Sequence, residues 1–240
     1  MTNRNPENDL PPVLVHGRAT ALARAAYRTA LNRAWAARPR MRAAVKRLLD
    51  VSVSAAMMVM LLPALAVVAF LIKITDRGPV LYWQDRVGRH GRIFRFPKLR
   101  SMVVNADAIQ RQLTAQNQHG EGVTFKMKKD PRITWIGRFI RRASIDELPQ
   151  LWCVLKGDMS LVGPRPALPR EVARYTLSDR RRLDGIPGLT CFWQVMGRSE
   201  IAFPEQVELD VDYIESHSIA LDLKLLAKTL PAVINGRGAY

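Results

Sequence analysis

The sequence predicts an α/β chain, mainly helical with one short β-hairpin. A membrane-embedded re-entrant helix-break-helix comes first, followed by a cytoplasmic domain at the membrane surface. Three observations predict it. Residues 51–72, "VSVSAAMMVMLLPALAVVAFLI", form 22 consecutive uncharged positions with a proline near the middle. Basic residues crowd both flanks of that run. Beyond residue 75 the chain becomes polar and mixed, with a Gly-punctuated hairpin pattern and helical periodicity over 145–156 and 203–235.

Residues 1–47 read as a basic leader, helical at a membrane surface. Ten basic and three acidic side chains fall in the first 50 positions, and the Ala/Arg-rich stretch from Gly17 onward favours a helix up to Pro39. Residues 48–74 read as the membrane hairpin. The run is long enough to cross a bilayer core once and stands too far from the N-terminus for a signal peptide. Arg42, Lys46 and Arg47 before it, and Lys73 and Arg77 after it, make both flanks look cytoplasmic. Pro63 lacks an N–H, and its ring clashes with the carbonyl of Val59, so the helix should break there and turn back. The groups freed at such a break need partners in a nearly dry setting, and Ser52 and Ser54 are at hand.

Residues 75–240 read as the functional domain. "GPVLYWQDRVGRHGRIFRF" has the turn residues and alternation of a short hairpin, and 104–122 should form a polar helix ending at "HGEG". At 240 residues and 27.1 kDa, the chain has room for one core plus an anchor. The formal charge of +16 implies an anionic partner: nucleic acid, anionic lipid or a phosphorylated substrate. No recognition helix, RNA-binding sheet motif or zinc finger supports nucleic acid. Cys153 and Cys191 and the four scattered histidines have no metal-ligand spacing and suggest no disulfide framework, so a reduced setting is expected.

Chemistry concentrates in "FIRRASIDELPQLW", residues 139–152. Ser144 and Glu147 match a capping box, which alone explains Glu147 as a helix start. Asp146 is not needed for that. Arg138, Arg141 and Arg142 supply more positive charge than a cap requires, and a helix start beside arginines binds phosphate. Such a field would keep Asp146 ionised as a nucleophile. Two acids plus substrate phosphates also suit Mg2+. Farther on, "KGDMSLVGPRP" and "VMGRSE" place Arg165 and Arg198 at turns.

Taken in order, the uncharged segment with its proline, "GPVLYWQDRVGRHGRIFRFPKLRSM", "SIDELPQLWCVLKGDMSLVGPRP" and "IPGLTCFWQVMGRS" resemble the bacterial sugar transferase family, the monotopic phosphoglycosyl transferases, over residues 45–240. The resemblance implies a cytoplasmic catalytic domain on the bacterial inner membrane. It implies transfer of a hexose 1-phosphate, galactose or glucose, from a UDP-sugar to undecaprenyl phosphate, with Mg2+ as cofactor. UMP would leave and exopolysaccharide or O-antigen synthesis would begin. Asp146 would be the nucleophile, carrying a phosphosugar-aspartyl intermediate. Asp146 and Glu147 would meet the metal, and Arg141, Arg165, Arg198 and Lys98 would hold phosphates. An N-acetylated sugar donor and a homodimer stay open. The chain departs from the family pattern in having Leu62 rather than Ser before Pro63, Cys191 in place of Gly, and Met196 at a position usually polar.

Overall fold

The computed structural model describes residues 18–106, 108–109, 130–197 and 201–235, with side chains placed between residues 41 and 232. The helix expected over 104–122 therefore lies mostly outside the described residues, and Arg198 lies wholly outside them. Two units divide the chain, Met1–Arg47 and Leu48–Tyr240. In the first, the described part is helical from Arg18.

Helix α1 spans Arg18–Asp76. It does not end at Pro39, as composition suggested, and Pro63 sits inside it without interrupting it. A proline costs a helix one hydrogen bond and some bending, and packing on either side can outweigh that cost. The stretch Met41–Asp76 is long and apolar enough to cross a membrane. The helix stops at Arg77, which takes a left-handed conformation (φ 57°) and donates its N–H to the carbonyl of Lys73 at 3.0 Å.

Within the second unit, the Leu48–Asp76 part of α1 packs against the rest of that unit at two places. Before Pro63, Met57 and Met58 lie against the main core, formed by Phe96, Leu151, Val154, Leu161 and Leu225. In the same half, the buried Asp50 accepts the N–H of Leu161 through Oδ1 at 3.2 Å. After Pro63, Val68 and Ile72 join a second cluster with Leu99, Ile136 and Ile140. The outward face, with Val59, Met60, Leu62, Val67 and Phe70, is exposed.

The expected hairpin is present. Strands β1 (Leu81–Val87) and β2 (Ile93–Leu99) pair antiparallel, with Arg86 opposite Phe94 and Tyr82 opposite Lys98. Pro97 sits within β2, which forms one edge of this two-stranded sheet. Helix α2 (Trp135–Arg142) follows, its first turn capped by Thr134, whose hydroxyl accepts the N–H of Gly137 at 3.0 Å.

The helix expected over 145–156 arrives in two pieces. A 3₁₀ segment, Ile145–Gln150, runs into α3 (Leu151–Lys156). Pro149 inside the first piece removes a donor, and the tighter 3₁₀ geometry accommodates that loss.

A second, parallel pair joins β3 (Ser160–Val162) to β4 (Gly188–Thr190). Here Gly163 and Gly188 meet backbone to backbone: a Cβ on Gly188 would lie 2.0 Å from the nitrogen of Gly163. Only glycine permits this approach. Helices α4 (Pro169–Val172) and α5 (Phe192–Met196) follow β3 and β4, respectively, along the chain. The helical periodicity over 203–235 resolves into two helices, α6 (Phe203–Ser216) and α7 (Ile219–Asn235), parted at His217 and Ser218. Both cysteines are buried and free.

Candidate active site

Four elements aim functional side chains into one cavity of about 1030 Å3. Strand β2 brings Lys98, the end of α2 brings Arg141, and the 3₁₀ segment brings Asp146 and Glu147. The loop after β3 brings Arg165. Of the site residues expected from sequence, these five converge.

The turn into the acidic pair is set by Ser144, which adopts a left-handed conformation (φ 54°) and makes no side-chain cap. The expected capping box is therefore absent. The Glu147 carboxylate is engaged across the cavity instead: its Oε1 accepts Lys98 Nζ at 2.8 Å and Arg165 Nη2 at 2.9 Å. Two charge-assisted bonds to separate elements outweigh one bond to a backbone N–H.

Asp146 is only 7 % exposed, lines the cavity, and its carboxylate makes no hydrogen bond among the described residues. The two acids are thereby driven apart. Burial pushes Glu147 up, but Arg165 and Lys98, acting through charge and hydrogen bonds, hold it well below the usual carboxylate range. Burial pushes Asp146 up to about 6, against the pull of Lys98, and the negative Glu147 beside it adds to the rise. Of the arginines expected to hold Asp146 ionised, Arg141 does pull it down, but burial outweighs that pull. Burial also lowers Lys98 from its ordinary value, with Glu147 opposing. One carboxylate is tied to cations, and its neighbour at the cavity wall makes no hydrogen bond among the described residues.

Among the described residues no group of three or more His, Cys, Asp or Glu side chains gathers as a protein-only cage. The donor set fits Mg2+ if phosphates complete it: Asp146 has its carboxylate unengaged, and the cationic contacts of Glu147 both fall on Oε1. Magnesium bound through one or two carboxylates and substrate phosphates is the usual arrangement.

Two features were not singled out by sequence reasoning. Arg86 of β1 is buried, lines the same cavity, and donates from Nη1 to the carbonyl of Pro166 at 2.9 Å. Arg182, also at the cavity, is buried in an ion pair with Asp210 and lies over the rings of Tyr175 and Phe203, each centroid 5.8 Å away.

The family model for bacterial sugar transferases matches residues 41–236. The chain belongs to the bacterial sugar transferase family. Relatives of this transferase chain include the galactosyl transferase CpsE of Streptococcus agalactiae, 53 % identical over 68 % of this chain and 36 % of the relative. The undecaprenyl-phosphate galactose phosphotransferase of Salmonella typhimurium is 41 % identical over 82 % of this chain and 42 % of the relative. The exopolysaccharide production protein ExoY of Sinorhizobium fredii is 35 % identical over 81 % and 88 %, respectively. The chain thus spans less than half the length of the first two and most of the third.

Proposed function

We propose that this family member transfers a hexose 1-phosphate, galactose or glucose, from a UDP-sugar to undecaprenyl phosphate, releasing UMP and starting an exopolysaccharide or O-antigen. The single observation that carries the reading is the asymmetry of the acidic pair: Asp146 unengaged at the cavity, Glu147 held by Lys98 and Arg165. The names of the Salmonella and Streptococcus relatives support the sugar and acceptor class.

In this mechanism an oxygen of Asp146 attacks the sugar-linked phosphorus. The anhydride bond to UMP breaks, UMP departs with the electron pair, and the sugar phosphate remains esterified to Asp146. An oxygen of the lipid phosphate then attacks the same phosphorus. Asp146 leaves as a carboxylate, and the product is a lipid-linked diphosphate sugar. Three anionic groups meet during these steps, so Lys98, Arg141 and Arg165, joined by Arg198 as the family motif implies, neutralise charge as it builds. Mg2+ held by Asp146 and Glu147 with the donor phosphates would add the charge neutralisation typical of phosphate transfer.

The reaction belongs at a cytoplasmic membrane surface. Asp50 and Ile72 are 22 residues apart, a helical length of about 33 Å, roughly one bilayer core. Both pack on the same unit, near opposite ends of the uncharged run. A spanning segment would place those ends on opposite sides of the bilayer, so their shared footing supports a segment held against one face of the membrane, with its helix continuous through Pro63.

Membranes carrying the chain, given UDP-galactose or UDP-glucose with undecaprenyl phosphate, should release UMP. Asp146→Asn should abolish the release while leaving membrane insertion intact. Turnover retained in that variant would sink the covalent route.

A further inference from the structure

We propose that Arg86 is a positioning residue for the transfer: it fixes the loop that carries Arg165, and through Arg165 it sets the Glu147 carboxylate beside Asp146. This rests on the function proposed above. Two consecutive residues of β1 hold two consecutive residues of that loop. Arg86 Nη1 donates to the carbonyl of Pro166 at 2.9 Å, and the N–H of Val87 donates to the carbonyl of Ala167 at 2.8 Å. Pro166 follows Arg165 directly, and Arg165 Nη2 reaches Glu147 Oε1 at 2.9 Å.

The other prong of the guanidinium, Nη2, donates to Gln84 Oε1 at 2.8 Å, so the planar group is fixed at two points. Its Cζ stands 5.1 Å from the Phe96 ring centroid, and Lys98 Nζ stands 5.6 Å from the same centroid. One aromatic ring therefore indexes Arg86 and Lys98, and Lys98 is the second cation on Glu147.

A neutral donor would satisfy the carbonyl of Pro166 at lower cost, since burying a cation next to Arg165 is unfavourable. That cost appears in Arg86 itself, which burial and then Arg165 push down to about 10. What a guanidinium adds is two donors in one rigid plane, a fork that fixes direction as well as distance. Lysine keeps the charge and loses the fork.

The test compares the full chain with Arg86→Lys, Arg165→Lys and the double variant in membranes, reading UMP release and donor KM. Arg86→Lys should lower kcat by about 10- to 100-fold, the range expected of a misplaced catalytic group, with donor KM within about threefold. In the double variant the two losses should not multiply, because the first acts through the second. Wild-type kcat in Arg86→Lys, a raised KM with unchanged kcat, or fully multiplicative losses would each overturn the proposal.

Should Arg86→Lys fold poorly, Gln84→Met removes only the acceptor of the second prong. It should lower kcat in the same direction with KM unchanged; no change in kcat overturns the proposal. If the wild-type chain releases no UMP from any UDP-hexose, the functional reading fails. The positional link is then decided by unfolding midpoints of the four chains: shifts at 86 and 165 that add in full overturn it, and coupled shifts sustain it.

Discussion

Proton occupancy of Asp146 should limit the first half of the reaction on the acid side. Its carboxyl is pushed up to about 6 because burial outweighs the attraction of Lys98, while Glu147 next door adds repulsion. Only the deprotonated form attacks phosphorus, so the rate should rise with pH through that value. The carboxylate is about nine-tenths ionised at pH 7 and about one-tenth at pH 5, roughly a tenfold change in the reactive species. The lipid phosphate loses its own second proton near the same pH, about 6, and would confuse full turnover. The assay is therefore the burst of UMP from a UDP-sugar without lipid acceptor, at fixed Mg2+, with the apparent second-order rate constant followed from pH 5 to pH 8. Lys98→Met removes the charge that most lowers the Asp146 value, so in that variant the acid limb should move to higher pH. A burst rate that is flat between pH 5 and pH 7, or a limb that moves to lower pH in Lys98→Met, would refute the reasoning.

Asp210→Asn preserves shape but leaves the guanidinium of Arg182 without its anion at a site where both are almost fully buried, so thermal or denaturant unfolding should show a loss of about 3–5 kcal/mol. Single cysteines placed at Leu49 and Thr75, on the two flanks of the apolar run, should both label from the cytoplasmic side and resist a membrane-impermeant reagent in the periplasm. Labelling of one end from outside would mean the segment spans.

What the sequence disclosed depended on how local the signal was. The uncharged run, the "GRHG" hairpin turn and the adjacent acids are each contained within a short window, and all are where expected. Strands β3 and β4 have three residues each, too few for any period to show, and the close approach beside them joins Gly163 and Gly188, distant in the chain. The capping box failed for a related reason. Its motif is four residues long, but the groups that claim Glu147 come from positions 49 and 18 residues away in the chain. Arg86 carries no local signal, because nothing in "WQDRVG" says that its side chain turns inward while its neighbour Asp85 stays exposed. Pro39 and Pro63 misled in the opposite direction: their effect on a helix is a local penalty, and local penalties are overruled by contacts elsewhere.

Val53 and Met57 of α1 line the same cavity as Lys98 and Asp146. In the proposed reading this helix, part of the wall of the cavity, meets acyl chains with its outer face. Its depth is set by the match between its apolar length and the hydrocarbon thickness around it, and mismatch is relieved by tilt or displacement. The shape of the chamber is in this way coupled to the bilayer itself, and acyl-chain length becomes a variable of the chemistry as much as of the anchoring.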